Sequence, residues 1–292
     1  MIKEIEFTKM HALGNDYVVI NETETIIIPE EDKFNASKTL SERRFNVGAD
    51  GVIYAQKSDK ADVRFRIFNS DGSEAEMCGN GIRCLAKYVY DNNIVKKETM
   101  SIETMEDVKE ARLTVVDNEV TSIEIDMGKA YFKPEEIPAI APSGNTEEFI
   151  NEEIDVEGEK IIMTSVSVGN PHAICFTDVN IDDIDLDFYG PRIEHHEAFP
   201  ARVNVHFVNI ESPDEIDILT WERGAGFTFA CGTGTTSCVL AGYKLGLLNQ
   251  KVHAHLSGGE LDITVTDHND YLTATMKGKA VTVYEAKMEV EY

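Results

Sequence analysis

The sequence predicts an α+β fold of two pseudo-symmetric domains, each a sheet wrapped around a central helix. Three observations carry this. Period-two alternation dominates the 292 residues, helical stretches are few, and one strand–turn–helix layout occurs twice. The repeated layout centres on "EMCGNGIRC" at 76–84 and "FACGTGTTSC" at 229–238, each with Cys-Gly-x-Gly at the mouth of a helix.

In chain order, "EIEFTKM" reads as the first strand and residues 36–45 as the first helix. "VRFRIFN" is a strand that leads through a Gly-containing turn into Cys78 and a helix over 80–92. That helix gathers Ile82, Leu85, Ala86 and Val89 on one stripe. "ARLTVV" and "VTSIEIDM" continue the alternation. "PEEIPAIAPSG" then brings three prolines together and opens the second half, with the boundary between about residues 125 and 145. The second half presents "KIIMTSVSVG", a helix around 187–197, "VNVHFVNI" and "EIDILTWE". "RGAGFTFACGTG" follows as the second turn and cysteine, and the helix over 233–247 is apolar on nearly every side, as a helix enclosed by sheet would be. "ELDITVTD" and "YLTATMKG" are late strands.

The 53 acidic residues against 27 basic ones argue against a nucleic-acid partner, whose phosphates so negative a surface would repel. No run approaches the ~20 apolar residues of a membrane helix, and "MIKEIEFTKM" lacks the apolar core of a signal peptide, so a cytoplasmic protein with no membrane partner is expected. The five cysteines include no C-x-x-C and no paired Cys/His spacing, which speaks against a structural metal and for free thiols. Cys84, Cys175 and Cys238 sit among apolar residues and read as core. Cys78 and Cys231, wedged against glycines, do not.

A helix N-terminus presents unpaired N–H groups and a partial positive charge, which stabilises a thiolate and binds carboxylates. Two such thiols on equivalent halves suggest halves that face each other across a cleft. They suit inversion of a carbon centre, where a base takes the proton from one face and an acid returns one to the other. The helix N-termini would stabilise the carbanion between them.

At these residues the chain resembles the diaminopimelate epimerase family nearly end to end. The likeness runs through "KMHALGNDYVVI" (9–20), "NVGADGVIYA" (46–55), "RIFNSDGSEAEMCGNGIRC" (66–84), "SVGNPHAICF" (167–176), "FPARVNVHFV" (199–208) and "WERGAGFTFACGTGTTSC" (221–238). It implies that Cys78 and Cys231 are the acid–base pair and that His172 and Glu222 assist proton movement around them. It further implies substrate contacts from Asn15, Asn69, Asn170, Asn204, Glu222 and Arg223, with Gly79, Asn80, Gly232 and Thr233 cradling the ligand beside each thiol. The implied reaction is conversion of LL- to meso-diaminopimelate in lysine biosynthesis, by a homodimer with no metal or organic cofactor. The implied fold is a curved, antiparallel-rich sheet or barrel around each central helix. Residues 1–127 with 275–292 would form the half bearing Cys78, and 128–274 the half bearing Cys231. The chain departs from the family pattern at Phe227, where some members carry Glu, and at Gly51, where some carry a substrate-contacting Gln.

Blander readings exist for each piece. Asn15 and Asn69 lie in ordinary turn sequences, His172 could be a core histidine, and Glu222–Arg223 could be an exposed ion pair. His195, His196 and His206 have no metal-type spacing and read as surface or packing residues. The alternatives for the whole chain are a proline racemase-like two-cysteine enzyme, a non-catalytic amino-acid-binding protein and a thiol redox protein.

Overall fold

The structure is a computed structural model that describes residues 2–75, 77–105 and 107–291. It divides into one unit of Met1–Asp126 with Lys277–Tyr292 and another of Met127–Met276. No helix among the described residues is long and apolar enough to cross a membrane.

The first unit runs β1 (Ile2–Ala12), β2 (Asn15–Glu22), α1 (Lys33–Ser41), β3 (Gly51–Gln56), β4 (Val63–Asn69), β5 (Glu74–Ala75), α2 (Gly79–Asp91), β6 (Thr99–Glu103), β7 (Val108–Val116) and β8 (Glu119–Lys129). The chain continues with β9 (Glu152–Val156), β10 (Glu159–Ser167), β11 (Pro171–Phe176), α3 (Leu186–Glu194), β12 (Asn204–Ser212), β13 (Glu215–Glu222), β14 (Gly226–Phe227), α4 (Gly232–Lys244), β15 (Lys251–Leu256), β16 (Gly259–Asp267) and β17 (Leu272–Gly278). The last strand, β18 (Val281–Glu291), pairs antiparallel with β1.

The duplication is explicit in the ladders. β1–β2 is antiparallel, β2–β3 parallel, β3–β4 antiparallel, β4–β6 parallel and β6–β7 antiparallel. The second unit repeats this series step for step in β10–β11, β11–β12, β12–β13, β13–β15 and β15–β16. Each parallel pair at β2–β3 and β11–β12 needs a crossover, and α1 and α3 supply them.

Alternation along each strand sends one set of side chains to the crossover helix and the other to the buried helix. Val18, Ile20, Val52, Tyr54 and Phe68 share a core with Ala36 and Leu40 of α1. On the opposite face of β3 and β4, Ile53, Phe65 and Ile67 close on α2, where a Cβ at Gly81 would stand 3.1 Å from the ends of the Phe65 and Ile67 side chains. In the second unit Ala173, Cys175, Val205 and Phe207 join Leu186 and Ile193 of α3 in one core, with Leu219 and Trp221 packed against it. The other face of those strands turns towards α4, and most of α4 is buried. Two of its buried hydroxyls bond back within the helix, Thr235 donating to the Cys231 carbonyl and Thr236 to that of Gly232, each at 2.9 Å.

Helix α1 spans 33–41 rather than 36–45, because Pro29 starts a 3₁₀ turn at Glu30–Asp32 that runs straight into it. The helices α2 and α4 begin at the residue after each cysteine.

Candidate active site

Both cysteines occupy the same structural position. Cys78 is the N-cap of α2 with φ −146° and ψ 114°, and Cys231 is the N-cap of α4 with φ −120° and ψ 106°. An N-cap residue keeps extended backbone while its carbonyl starts the helix, and here the Cys78 carbonyl accepts from Ile82 at 2.9 Å and that of Cys231 from Thr235 at 2.8 Å. The preceding hairpins deliver the residues there. β4 folds back on β5 with Phe68 opposite Glu74, and β13 folds back on β14 with Glu222 opposite Gly226.

None of the five cysteines is in a disulfide. Burial pushes Cys84 up to about 12, Cys175 up to about 11 and Cys238 well above the ordinary range, so these three stay protonated and inert. Cys78 is half-buried and Cys231 is 5% exposed.

In the first unit, Tyr17 Oη lies 3.0 Å from Cys78 Sγ and also donates to Asn15 Oδ1. Asn80 Nδ2 reaches the same Asn15 oxygen at 3.2 Å, and Asn15 Nδ2 donates to Asp50 Oδ2 at 2.7 Å. Beneath them the fully buried Arg83 donates to Asn80 Oδ1 at 2.7 Å and to the Gly79 carbonyl at 3.3 Å. Burial, and then the neighbouring Cys78, hold the Tyr17 phenol well above its usual pKa, so it remains a proton-bearing group. Asn15, Gly79 and Asn80 are therefore gathered at Cys78. Asn69 is not joined to them by these bonds; it is exposed, and its Nδ2 donates to Ser73 Oγ at 3.1 Å inside the β4–β5 turn. Gly51 could carry no side chain on this backbone, since a Cβ there would meet the Phe68 carbonyl oxygen at 2.5 Å.

In the second unit, Thr233 Oγ1 lies 3.5 Å from Cys231 Sγ, and Asn170 Nδ2 donates to that hydroxyl at 3.4 Å. Asn170 Oδ1 is 2.9 Å from His172 Nε2, and His172 Nδ1 is 2.9 Å from His206 Nε2. His206 Nδ1 ends the chain on Thr220 Oγ1 at 3.0 Å. Burial, then His206 and Arg223, hold His172 well below its usual pKa, and burial pushes His206 down to about 3. Of the two expectations for His206, surface or packing, burial excludes the first and agrees with the second: alternation places it on the inner face of β12 with Asn204, opposite Thr220 of β13, where both ring nitrogens have partners. His195 is exposed and His196 half-buried, and each contacts a backbone carbonyl, at 2.9 and 3.1 Å.

Asn204 is buried, donates to the Pro171 carbonyl at 2.8 Å and accepts from the Arg223 N–H at 3.0 Å. The Arg223 guanidinium is exposed and donates to the Ala201 carbonyl at 3.2 Å, while Glu222 Oε1 accepts from Thr228 Oγ1 at 2.6 Å. The β13–β14 turn is clamped from below by the buried Glu194, which accepts from Trp221 Nε1 at 2.8 Å and from the Gly224 N–H at 3.0 Å. Phe227 and Phe229, both largely exposed, form an edge-to-face pair beside Cys231 in the chain, with centroids 5.5 Å apart.

The described residues hold one group of potential metal ligands, His253, His255 and Glu260. Their ring nitrogens already face carboxylates, His253 those of Asp262 and Glu260 and His255 those of Glu215 and Glu260. They read as a charged surface cluster. The Asp262 carboxylate raises the His253 pKa above its unfolded value near 6.5, so the pair stabilises the fold fully below about pH 6.5 and loses that contribution as pH rises through the raised value. His253→Gln is expected to lower the melting temperature slightly at pH 5.5 and leave it unchanged at pH 9; equal shifts at both would remove the charge pairing.

The family model for diaminopimelate epimerase matches residues 7–133 and 164–283. The diaminopimelate epimerase of Methanocaldococcus jannaschii is 50% identical over 97% of this chain and 98% of its own. That of Methanothermobacter thermautotrophicus is 53% identical over 96% and 97%, and that of Acetivibrio thermocellus 40% over 98% and 99%. Among solved structures, a hydroxyproline epimerase from Agrobacterium vitis superposes with TM-score 0.71 at 13% identity, over 98% of this chain and 91% of that one. A phenazine biosynthesis protein of the PhzF family from Bacillus anthracis gives TM-score 0.68 at 19% identity, over 99% and 100%. These last two share the fold, and the sequence relatives and family model go further: the chain belongs to the diaminopimelate epimerase family.

Proposed function

We propose that the chain interconverts LL- and meso-diaminopimelate by acid–base chemistry at two cysteines, in lysine biosynthesis. The observation that carries this is the paired N-cap position of Cys78 and Cys231, each with a hydroxyl within 3.5 Å of its sulfur. Inversion needs one proton removed and another delivered on the opposite face of the α-carbon. A thiolate serves as the base and a thiol as the acid, and the two exchange roles in the reverse direction. The N–H groups that open α2 and α4 suit the α-carboxylate and its carbanion. His172 and Glu222 assist proton movement. Asn15, Asn69, Gly79, Asn80, Asn170, Asn204, Glu222, Arg223, Gly232 and Thr233 hold the substrate.

The halves in this reading are residues 1–127 with 275–292 and residues 128–274, supported by the repeated ladder order. The enzyme is read as a cytoplasmic homodimer that uses neither metal nor pyridoxal phosphate.

The test is incubation of reduced protein with LL-diaminopimelate in deuterated water, followed by chiral separation and mass spectrometry. Meso product carrying deuterium at the inverted α-carbon is expected, and unchanged turnover after EDTA and hydroxylamine treatment. Failure to form the meso isomer, or racemisation of a parallel proline sample instead, would overturn the assignment.

A further inference from the structure

The hydrogen-bond chain behind Cys231 has a direction that can be read atom by atom. Asn170 presents its oxygen to His172 and its amide nitrogen to Thr233. An amide oxygen only accepts, so His172 Nε2 must hold a proton. The ring is neutral, because it is fully buried and its pKa lies well below the usual value. Its Nδ1 is then a bare lone pair, and His206 Nε2 must donate to it across 2.9 Å. His206 is neutral for the same reason, so its Nδ1 is bare and Thr220 Oγ1 must donate to it across 3.0 Å. At the other end Thr233 accepts from Asn170, which leaves its own proton for the Cys231 sulfur.

We propose that His206, held by Thr220, is a positioning residue that locks His172 in the tautomer with its proton on Nε2. The lock orients the Asn170 amide, and through it the Thr233 proton, towards the Cys231 sulfur. His206 touches neither the thiol nor the substrate in this role; it acts through His172. The inference rests on the epimerase reading only for its effect on turnover. The tautomer itself stands without it.

The site is built for this ring. A Cβ on Gly234 would lie 2.2 Å from His206 Cε1 and 2.6 Å from its Nε2, so only glycine in the first turn of α4 leaves the imidazole its place. The rings of His172 and His206 lie 5.1 Å apart at 35°, close enough to fix each other's rotation.

Nitrogen-15 NMR of histidine-labelled protein distinguishes protonated from bare ring nitrogens, and the His172 signals are assigned by their loss in His172→Asn. His172 is expected to show protonated Nε2 and bare Nδ1. His206→Leu removes the donor: the two His172 tautomers should mix, and kcat for LL-diaminopimelate should fall about tenfold or more with KM little changed, since wrong-tautomer penalties reach about 10⁴-fold. His206→Gln, whose amide can donate at the same place, should restore both the tautomer and most of kcat. Thr220→Val should move both readouts in the direction of His206→Leu, and it carries the test alone if that variant does not fold. A protonated Nδ1 in the unaltered protein, or a tautomer indifferent to both His206→Leu and Thr220→Val, overturns the lock. A shifted tautomer with unchanged kcat overturns the positioning role and leaves the epimerase reading standing. A correct tautomer in a protein that forms no meso product leaves the lock standing and overturns that reading instead.

Discussion

Cys78→Ala and Cys231→Ala should each lose epimerisation by about 10³-fold or more while keeping the fold. General acid–base groups contribute about 10²–10⁴-fold, and in the proposed mechanism an alanine at either position leaves one face of the α-carbon without a proton carrier. Neither thiol makes a side-chain cap to its helix, so truncation removes no helix-capping bond. The sharper readout is exchange without inversion. Each single variant retains one thiol, which can still remove and return a proton on its own face. In deuterated water one variant should label only the LL isomer and the other only the inverted centre of the meso isomer. Labelling of the same isomer by both variants would show that the two thiols do not serve opposite faces, and near-normal turnover in either would remove that cysteine from the mechanism.

The repeated Cys-Gly-x-Gly layout was legible because it is local: strand, turn and helix follow one another, and alternation identifies each strand without knowing its partners. Strands such as β3 and β11 lacked that signal. "GVIYAQ" is buried throughout and "PHAICF" nearly so, because these strands have a helix on either side, and a fully buried strand reads as an apolar run. The residues around each thiol separated in the same way. Gly79, Asn80, Gly232 and Thr233 adjoin the cysteines in sequence, and Arg83 follows Cys78 on the same helix, whereas Tyr17, His206 and Thr220 are selected by register and burial. Tyr17 lies 61 positions from Cys78 and reaches it only through the inner face of β2. His206 carried a usable signal, two positions after Asn204 on an alternating strand, but its partner 34 residues away became visible only with the β11–β12 pairing.

The second glycine of each motif provides the other large expected effect, and the two copies should differ. Gly81→Ala presses a Cβ against only the terminal atoms of Phe65 and Ile67, at 3.1 Å, a contact relieved by a shift of a few tenths of an ångström. Gly234→Ala drives a Cβ to 2.2 Å from the His206 ring, which is pinned by His172 on one side and Thr220 on the other, and to 3.1 Å from Cys231 Sγ. Overpacking a rigid core typically costs about 1–3 kcal/mol. Gly234→Ala should therefore destabilise the protein by that amount and reduce turnover about tenfold or more as the imidazole leaves its partners. Gly81→Ala should show the smaller change in both. The mechanism is separable from a generic helix effect by a double-mutant cycle, because residues in contact do not add. In a His206→Ala background the space is already open, so the stability cost of Gly234→Ala should largely vanish, measured by denaturant unfolding of the four proteins. If the cost of Gly234→Ala is the same with and without the imidazole, the clash is not its source, and the ring does not lie against the first turn of α4.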